Sequence, residues 1–299
     1  MRVGILGGGA WGQALARLVA AAGNEPYLGY RDERPPHVLP STNEPHLVSE
    51  ACDLLLVATS AALTAEAMRL ARPGPGNRVV VAGRGLEPAT GALLTEIVTA
   101  NSGAVRVGAL AGPAPVHEIL HGGLCAGVVG SAFDEVCALT VSALHSTRYR
   151  VYPSRDVVGV QLAGAIVPVL ATVIGVVGSL KGAGVGLHGL VLARGLEEAS
   201  RFISARGGDP TTLHGLAGTG DLVAVQSRPD HPNYRAGTAL AAGDRTAGPR
   251  AVATALVAQA RAVDVELPLI EALVSIYDGE DPLNALARLM ASAPVPERR

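Results

Sequence analysis

The sequence predicts an α/β fold in two parts, an N-terminal Rossmann domain doubly wound around a mostly parallel sheet and an all-α C-terminal domain. Short apolar runs alternate with helix-like stretches through the first half of the 299-residue chain, which is the pattern of a parallel sheet wrapped by helices. A glycine-rich turn separates the first run from the first helix, and strand-like runs stop after Pro153. We therefore place the domain boundary there, giving domains of residues 1–153 and 154–299.

The first half supplies the strands. Residues 2–6 form the first apolar run, and residues 10–22 follow with Leu15, Leu18 and Val19 on one stripe at helical spacing. Further strands are expected near residues 26–29, 54–58, 78–82, 105–110, 124–129 and 148–153, with helices near 62–71, 90–99 and 133–144. Residues 34–45 are rich in proline and show no element periodicity, so they are interpreted as a loop.

The second half divides at glycine and proline clusters into mostly helical pieces. Its most apolar stretch, residues 159–180, carries no formal charge and is long enough for about 30 Å of hydrocarbon. Gln161 and the central Pro168 disfavour a membrane span. We expect a helix buried at the junction of the two domains, because a helix that is apolar on all sides must be covered on all sides.

Composition excludes several classes of partner. Aromatic residues make up only 3% of the chain, and 24 basic and 26 acidic residues give a net charge of −2, so neither a stacking surface nor a basic stripe for nucleic acid is expected. The three cysteines show no ligand-like spacing, which argues against disulfides and zinc. The apolar run before the glycines is too short for a signal peptide. We expect a cytoplasmic protein with a small-molecule partner.

The turn itself has the spacing Gly7-x-Gly9-x-x-Gly12, directly between the first strand and the first helix. In this context the glycines permit a tight turn, close approach of the backbone to a pyrophosphate and packing of the helix on the strand. The helix N-terminus then presents free N–H groups to the phosphates. The motif predicts dinucleotide binding.

The end of the second strand bears on which dinucleotide binds. The stretch GYRDER places Arg31 and Asp32 where the adenosine ribose is normally contacted. Asp32 suits the 2′-hydroxyl of NAD, whereas Arg31 suits the 2′-phosphate of NADP. Both cofactors stay open, with a slight preference for NADP.

Several motifs that follow in order resemble one enzyme family over almost the whole chain: VAGRGLE, AGPAPVHEIL, VGVQLAGA, ARGLEEASR, GLAGTGDLV and PNYRAG. Together they resemble the bacterial NAD(P)-dependent glycerol-3-phosphate dehydrogenases. The resemblance implies reduction of dihydroxyacetone phosphate with NADH or NADPH, a helical C-terminal domain of the 6-phosphogluconate-dehydrogenase-like type that binds substrate, and a homodimer.

The resemblance also implies roles for individual residues. Asp221 and Arg84 correspond to catalytic positions, and Arg84, Gly112 and Asn233 to substrate contacts. The cofactor contacts implied are Gly7, Gly9, Ala10, Trp11, Gly12, Arg31, Asp32, Ser60, Arg84 and Ala114.

Three positions depart from the family pattern. Val167 stands where the family has its catalytic lysine, Pro232 replaces a phosphate-binding arginine, and Arg84 replaces a second lysine. Loss of one donor that stabilises developing charge costs about a hundredfold to a thousandfold in rate. Two interpretations stay open: an oxidoreductase that is weak or redirected to another carbonyl or imine, and a catalytically silent NAD(P)-binding protein.

Other groups are candidates to compensate. Lys181, the single lysine, follows the apolar stretch closely, and Arg235 lies three residues after Pro232. Either is a candidate replacement cation. One of His117, His188 and His231 is a candidate proton donor.

Overall fold

The computed structural model describes residues 1–31, 39–226 and 228–291, apart from the side chain of Met290. Asp32 lies outside the described residues, so its predicted contact with the ribose stays a prediction.

Eight strands form one sheet in the order β3-β2-β1-β4-β5-β6-β7-β8. All neighbouring strands are parallel except β6 and β7. The strands are β1 (Arg2–Leu6), β2 (Glu25–Gly29), β3 (Ser41–Thr42), β4 (Leu54–Val57), β5 (Arg78–Val81), β6 (Arg106–Ala111), β7 (Cys125–Gly130) and β8 (Tyr149–Ser154). The strand order reverses between β1 and β4, which pair with each other in the sheet, and a doubly wound sheet binds ligands at such a reversal.

Helices cover the sheet and form the rest of the described chain. They are α1 (Ala10–Ala21), α2 (Pro45–Ala51), α3 (Thr64–Ala71), α4 (Leu94–Ala100), α5 (Val116–Leu120), α6 (Asp134–Leu144), α7 (Val157–Gly178), α8 (Val185–Ala205), α9 (Asp221–Gln226), α10 (Pro232–Ala241), α11 (Arg250–Arg261), α12 (Pro268–Tyr277) and α13 (Pro282–Met290). Together the elements confirm the predicted fold class, a Rossmann-like sheet followed by a helical region.

The strand and helix predictions of the first half are confirmed with shifts of a few residues, but the loop predicted over residues 34–45 is wrong in part. Residues 41–42 form the short strand β3, and residue 45 begins the helix α2. Pro45 occupies the first position of α2, where the missing N–H has no intrahelical partner to lose. Proline content therefore indicates a loop wrongly at Pro45, where the proline begins a helix.

Helix α7 is the apolar stretch of the sequence, and it lies in the core. It packs against α8 and α10 of the helical region and against β6 of the sheet. The helix is long and apolar enough to span a membrane, yet 83% of its most apolar window is buried inside the protein. The prediction of a buried helix is confirmed, and Val167 at its centre has no exposed surface.

Candidate active site

The glycine turn brings the first helix against the first strand. Gly7 has a φ of +124°, a backbone conformation that L-residues with side chains rarely adopt, and its N–H donates to the carbonyl of Gly29 at 2.9 Å. A Cβ on Gly12 would lie 1.8 Å from the Gly7 carbonyl oxygen. Gly12 therefore has to be glycine for α1 to begin where it does.

A cavity of about 560 Å³ opens above this turn, and we call it the turn cavity. Its walls come from the ends of β1, β2 and β4 and from α3, with Gly7, Gly8, Gly9, Gly29, Tyr30, Arg31, Ala58, Thr59, Ser60, Leu63, Glu66, Ala67 and Leu70 among the lining residues. Arg31 and Glu66 face each other across it at 3.1 Å. Gly9 precedes α1, the helix that begins at Ala10.

A second cavity, of about 630 Å³, lies between the sheet and the helical region, and we call it the interdomain cleft. The sheet side contributes Trp11, Ala58, Thr59, Ser60, Ala82, Gly83, Arg84, Ala114, Pro115, Val116, His117 and Leu120, and the helical side contributes Asp221, Ala224, Val225, His231, Pro232 and Asn233. Ala58, Thr59 and Ser60 line both cavities. The two cavities therefore share a wall.

Arg84 and Asp221 form an ion pair across the interdomain cleft. One Arg84 nitrogen donates to Asp221 at 2.5 Å and another donates to the Gly112 carbonyl at 2.8 Å. The Asp221 side chain is 5% exposed, whereas that of Arg84 is 34% exposed. The guanidinium is thus fixed in place by two partners and remains partly exposed in the cleft.

The chain geometry before Asp221 explains why this carboxylate is so deeply placed. Residues Leu216–Gly220 form a π-helical turn that leads directly into α9, whose first residue is Asp221. A Cβ on Gly218 would lie 2.1 Å from the Leu213 carbonyl oxygen, so the tight turn requires glycine. Burial raises the pKa of Asp221, and the Arg84 guanidinium acts in the opposite direction.

His231 lies on the helical wall of the cleft. It caps α10, because its Nδ1 accepts a hydrogen bond from the Asn233 N–H at 3.3 Å. An accepting Nδ1 is unprotonated, so the proton of the neutral ring is on Nε2. Burial, and secondly the nearby charges of Arg84 and Arg228, lower the pKa of His231. The ring is therefore uncharged at neutral pH.

Arg228 lies near the rim, close to His117. It is bound by Asp230 at 2.5 Å, lies 3.6 Å from Glu118, and donates to the His117 ring. The sequence analysis did not identify this arginine, because its contacts with His117 and Glu118 join distant parts of the chain. Arg228 and Glu118 are 110 positions apart.

Comparison with known proteins decides the family. The description "NAD-dependent glycerol-3-phosphate dehydrogenase N-terminus" matches residues 33–137, and "NAD-dependent glycerol-3-phosphate dehydrogenase C-terminus" matches residues 156–288. A glycerol-3-phosphate dehydrogenase [NAD(P)+] of Nitrosococcus oceani is 32% identical, over 99% of this chain and 96% of the relative. The chain belongs to the NAD-dependent glycerol-3-phosphate dehydrogenase family.

Other relatives and solved structures agree. A glycerol-3-phosphate dehydrogenase [NAD(P)+] of Sinorhizobium fredii is 38% identical over 73% of this chain and 68% of its own length. The crystal structure of glycerol-3-phosphate dehydrogenase from Coxiella burnetii superposes with a TM-score of 0.87 at 26% identity, covering 97% of this chain and 99% of that chain. The predicted family is confirmed, and membership implies NAD or NADP as cofactor.

Val167, the position that the sequence analysis matched to the family's lysine, does not line the described cleft. It is fully buried in the core cluster around α7. Lys181 does not compensate for it. Lys181 is exposed beyond the end of α7 at Gly178, and the helix rises about 16 Å between Val167 and that end.

The remaining predicted contacts fall into two groups. Asn233, Ser60, Ala114 and Trp11 line the interdomain cleft, and the Trp11 indole N–H is fixed by the Ala82 carbonyl at 2.8 Å. Gly112 contributes its carbonyl to Arg84. By contrast, Arg235 is exposed on α10 and does not line the described cleft, because it lies on a different face of the helix from Asn233.

The residues present fit a dinucleotide. A Cβ on Gly9 would meet no atom within 4 Å, so open space adjoins the N-terminus of α1, where backbone N–H groups lack intrahelical partners. Within the described part of the chain, the Thr59 hydroxyl is buried without a hydrogen-bond partner, and Thr59 lines both cavities. A ligand that runs from the turn cavity into the cleft passes Thr59. This residue was missed by the sequence analysis, which named only its neighbour Ser60.

Proposed function

We propose that this protein is an NAD(P)-dependent oxidoreductase that interconverts a small carbonyl compound and its alcohol in the interdomain cleft. Dihydroxyacetone phosphate, the ketone that corresponds to the family name, is the reference substrate. The observation that supports the proposal is the Arg84 guanidinium, held by Asp221 and the Gly112 carbonyl and open to a cleft that shares a wall with the turn cavity.

The chemistry needs a group that stabilises charge on the carbonyl oxygen. A bound nicotinamide supplies or accepts the hydride. Arg84 has five N–H donors, of which two are directed at Asp221 and Gly112. The others are available to a carbonyl oxygen in the cleft, where a preoriented donor stabilises the negative charge that develops during reduction. Arg84 thus stabilises the negative charge on the carbonyl oxygen, which the valine at position 167 cannot do.

Arginine differs from lysine in one respect that matters here. A guanidinium does not release its proton in proteins, so Arg84 stabilises the alkoxide but does not protonate it. The proton comes from water in the cleft, because His231 is uncharged and a neutral imidazole N–H is as weak an acid as the guanidinium. We therefore propose a slower reaction than a proton-donating lysine in the cleft would support.

The experiment follows NADPH oxidation at 340 nm with dihydroxyacetone phosphate and with a panel of unphosphorylated ketones. We expect ketone-dependent turnover that falls about a hundredfold to a thousandfold in Arg84→Ala, with partial activity in Arg84→Lys. NADPH titration by fluorescence is the control that the variants still bind cofactor. A wild-type protein that binds NADPH but turns over no ketone would instead support the silent NAD(P)-binding protein.

Three finer features belong to the same proposal. NADP is slightly preferred over NAD, supported by Arg31 on the wall of the turn cavity. The protein acts in the cytoplasm and as a homodimer, supported by family membership. Ratios of NADPH to NADH affinity test the first feature, fractionation of the native host the second and light scattering after gel filtration the third.

A further inference from the structure

The charges in and around the interdomain cleft are already neutralised by one another. On the described lining, Arg84 is the only arginine and Asp221 the only carboxylate, and they pair at 2.5 Å. His231 is uncharged because burial lowers its pKa. The guanidinium and the carboxylate of the wall therefore balance each other.

The rim adds no positive charge. Arg228 is bound by Asp230 at 2.5 Å and lies 3.6 Å from Glu118. Together with the wall, two guanidinium groups face three carboxylates. A phosphate dianion that enters the cleft would lose hydration and meet a net negative surrounding, which is unfavourable unless several charged donors bind it.

The rest of the wall is apolar. Trp11, Val116, Leu120 and Val225 contribute side chains from both sides of the cleft, and Val225 is almost fully buried. Pro232 occupies the first position of α10, where it offers neither a side-chain donor nor an N–H. Such a wall removes apolar substituents from water, at about 25 cal/mol for each Å² buried.

We propose that the preferred substrate is an uncharged ketone or aldehyde with an apolar substituent, and not a phosphorylated one. The carbonyl oxygen accepts from Arg84, whose charge stays balanced by Asp221, and the substituent lies against Val116, Leu120 and Val225. Reduction adds a hydride from NAD(P)H to the carbonyl carbon and a proton to the oxygen, giving the alcohol and NAD(P)+. This inference rests on the proposed oxidoreductase function.

The test compares two ketones that differ in the group under question. Dihydroxyacetone phosphate carries the phosphate, and 1-hydroxy-2-pentanone replaces it by an alkyl group. With NADPH, we expect kcat/KM at least about tenfold higher for 1-hydroxy-2-pentanone, a difference of about 1.4 kcal/mol. An equal or higher kcat/KM for dihydroxyacetone phosphate overturns the inference while leaving the oxidoreductase function intact.

A variant tests the charge argument directly. Pro232 is exposed and begins α10, so Pro232→Arg adds a guanidinium to the wall without disturbing the core. We expect kcat/KM for dihydroxyacetone phosphate to rise about tenfold relative to the alkyl ketone, while Pro232→Ala leaves the ratio unchanged. An unchanged ratio in Pro232→Arg contradicts the argument.

If neither ketone is turned over, the proposed function fails, and calorimetry still decides the inference. Each ketone is titrated into the wild-type protein loaded with NADPH. Tighter binding of the alkyl ketone supports an uncharged-ligand cleft. Tighter or equal binding of dihydroxyacetone phosphate overturns it.

Discussion

The side chain of Arg31 ends at a carboxylate of α3, and this pair bears on the choice of cofactor. Its guanidinium is 3.1 Å from Glu66, with side-chain exposures of 49% and 41%. A 2′-phosphate beside Arg31 would approach the Glu66 carboxylate as well, and like charges repel. We therefore expect Glu66 to reduce the preference for NADPH that Arg31 gives.

We expect Glu66→Gln to raise the affinity for NADPH roughly fivefold, because the pair is exposed and its interactions are modest. The affinity for NADH, which has a hydroxyl at this position, should hardly change. Arg31→Ala should lower the NADPH affinity and not the NADH affinity. Fluorescence titration with both cofactors measures these ratios, and equal changes for the two cofactors would show that the pair does not act on the 2′ position.

At the scale of elements, the packing of α7 disfavours a lysine at position 167. Val167 has no exposed surface and belongs to the core cluster around α7. A lysine placed there must bury an ammonium group, which costs several kcal/mol unless a carboxylate lies within reach. We expect Val167→Lys to lose about 3 kcal/mol or more of unfolding free energy.

The matched control is Val167→Leu, which adds a methylene without a charge and should cost about 1–3 kcal/mol through overpacking. Urea unfolding measures both variants. If Val167→Lys is as stable as Val167→Leu, the lysine reaches a carboxylate or solvent, and a functional assay of that variant becomes meaningful.

The contact between α8 and α12 depends on a buried carboxyl group. Glu198 of α8 is 6% exposed and accepts a hydrogen bond from the Leu269 N–H at 3.0 Å, at the start of α12. Burial raises the pKa of Glu198 to about 7 from an ordinary value of 4.5. The folded protein therefore binds more protons than the unfolded chain between these two values, and stability falls as pH rises through this window.

We expect Glu198 to contribute a loss of about 3 kcal/mol between pH 4.5 and 7, which is complete above pH 7. Glu198→Gln retains an oxygen acceptor for the Leu269 N–H but does not titrate, so its unfolding free energy should exceed that of wild type above pH 7 and converge with it near pH 4.5. Glu197→Gln, on the exposed side of α8, is the control. Parallel pH profiles for wild type and Glu198→Gln would contradict the assignment.

For the whole molecule, the sequence predicted features that depend on neighbouring residues and not contacts between residues far apart in the chain. The glycine turn and the buried α7 were predicted because their signals are local: spacing for the turn, and an unbroken apolar run for the helix. The pair of Arg84 and Asp221 joins positions 137 residues apart, so neither spacing nor composition indicates that they meet. The prediction that Lys181 reaches the cleft fails for the same reason. Lys181 is close to Val167 in sequence, but the helix axis separates the two residues in space.

Cofactor binding should stabilise the whole chain. Substitutions at two glycines of the turn distinguish an effect on cofactor binding from an effect on folding. A Cβ on Gly9 meets open space, whereas one on Gly12 would lie 1.8 Å from the Gly7 carbonyl oxygen. We expect Gly9→Val to unfold at nearly the wild-type temperature without cofactor but to lose the rise in Tm that NADPH gives the wild type, which corresponds to about 2.7 kcal/mol at 100 times Kd. Gly12→Ala should unfold at a lower temperature even without cofactor, because α1 must shift away from β1. Thermal scans with and without NADPH distinguish the two, and a Gly9→Val protein that keeps the full rise would show that the pyrophosphate does not lie over Gly9.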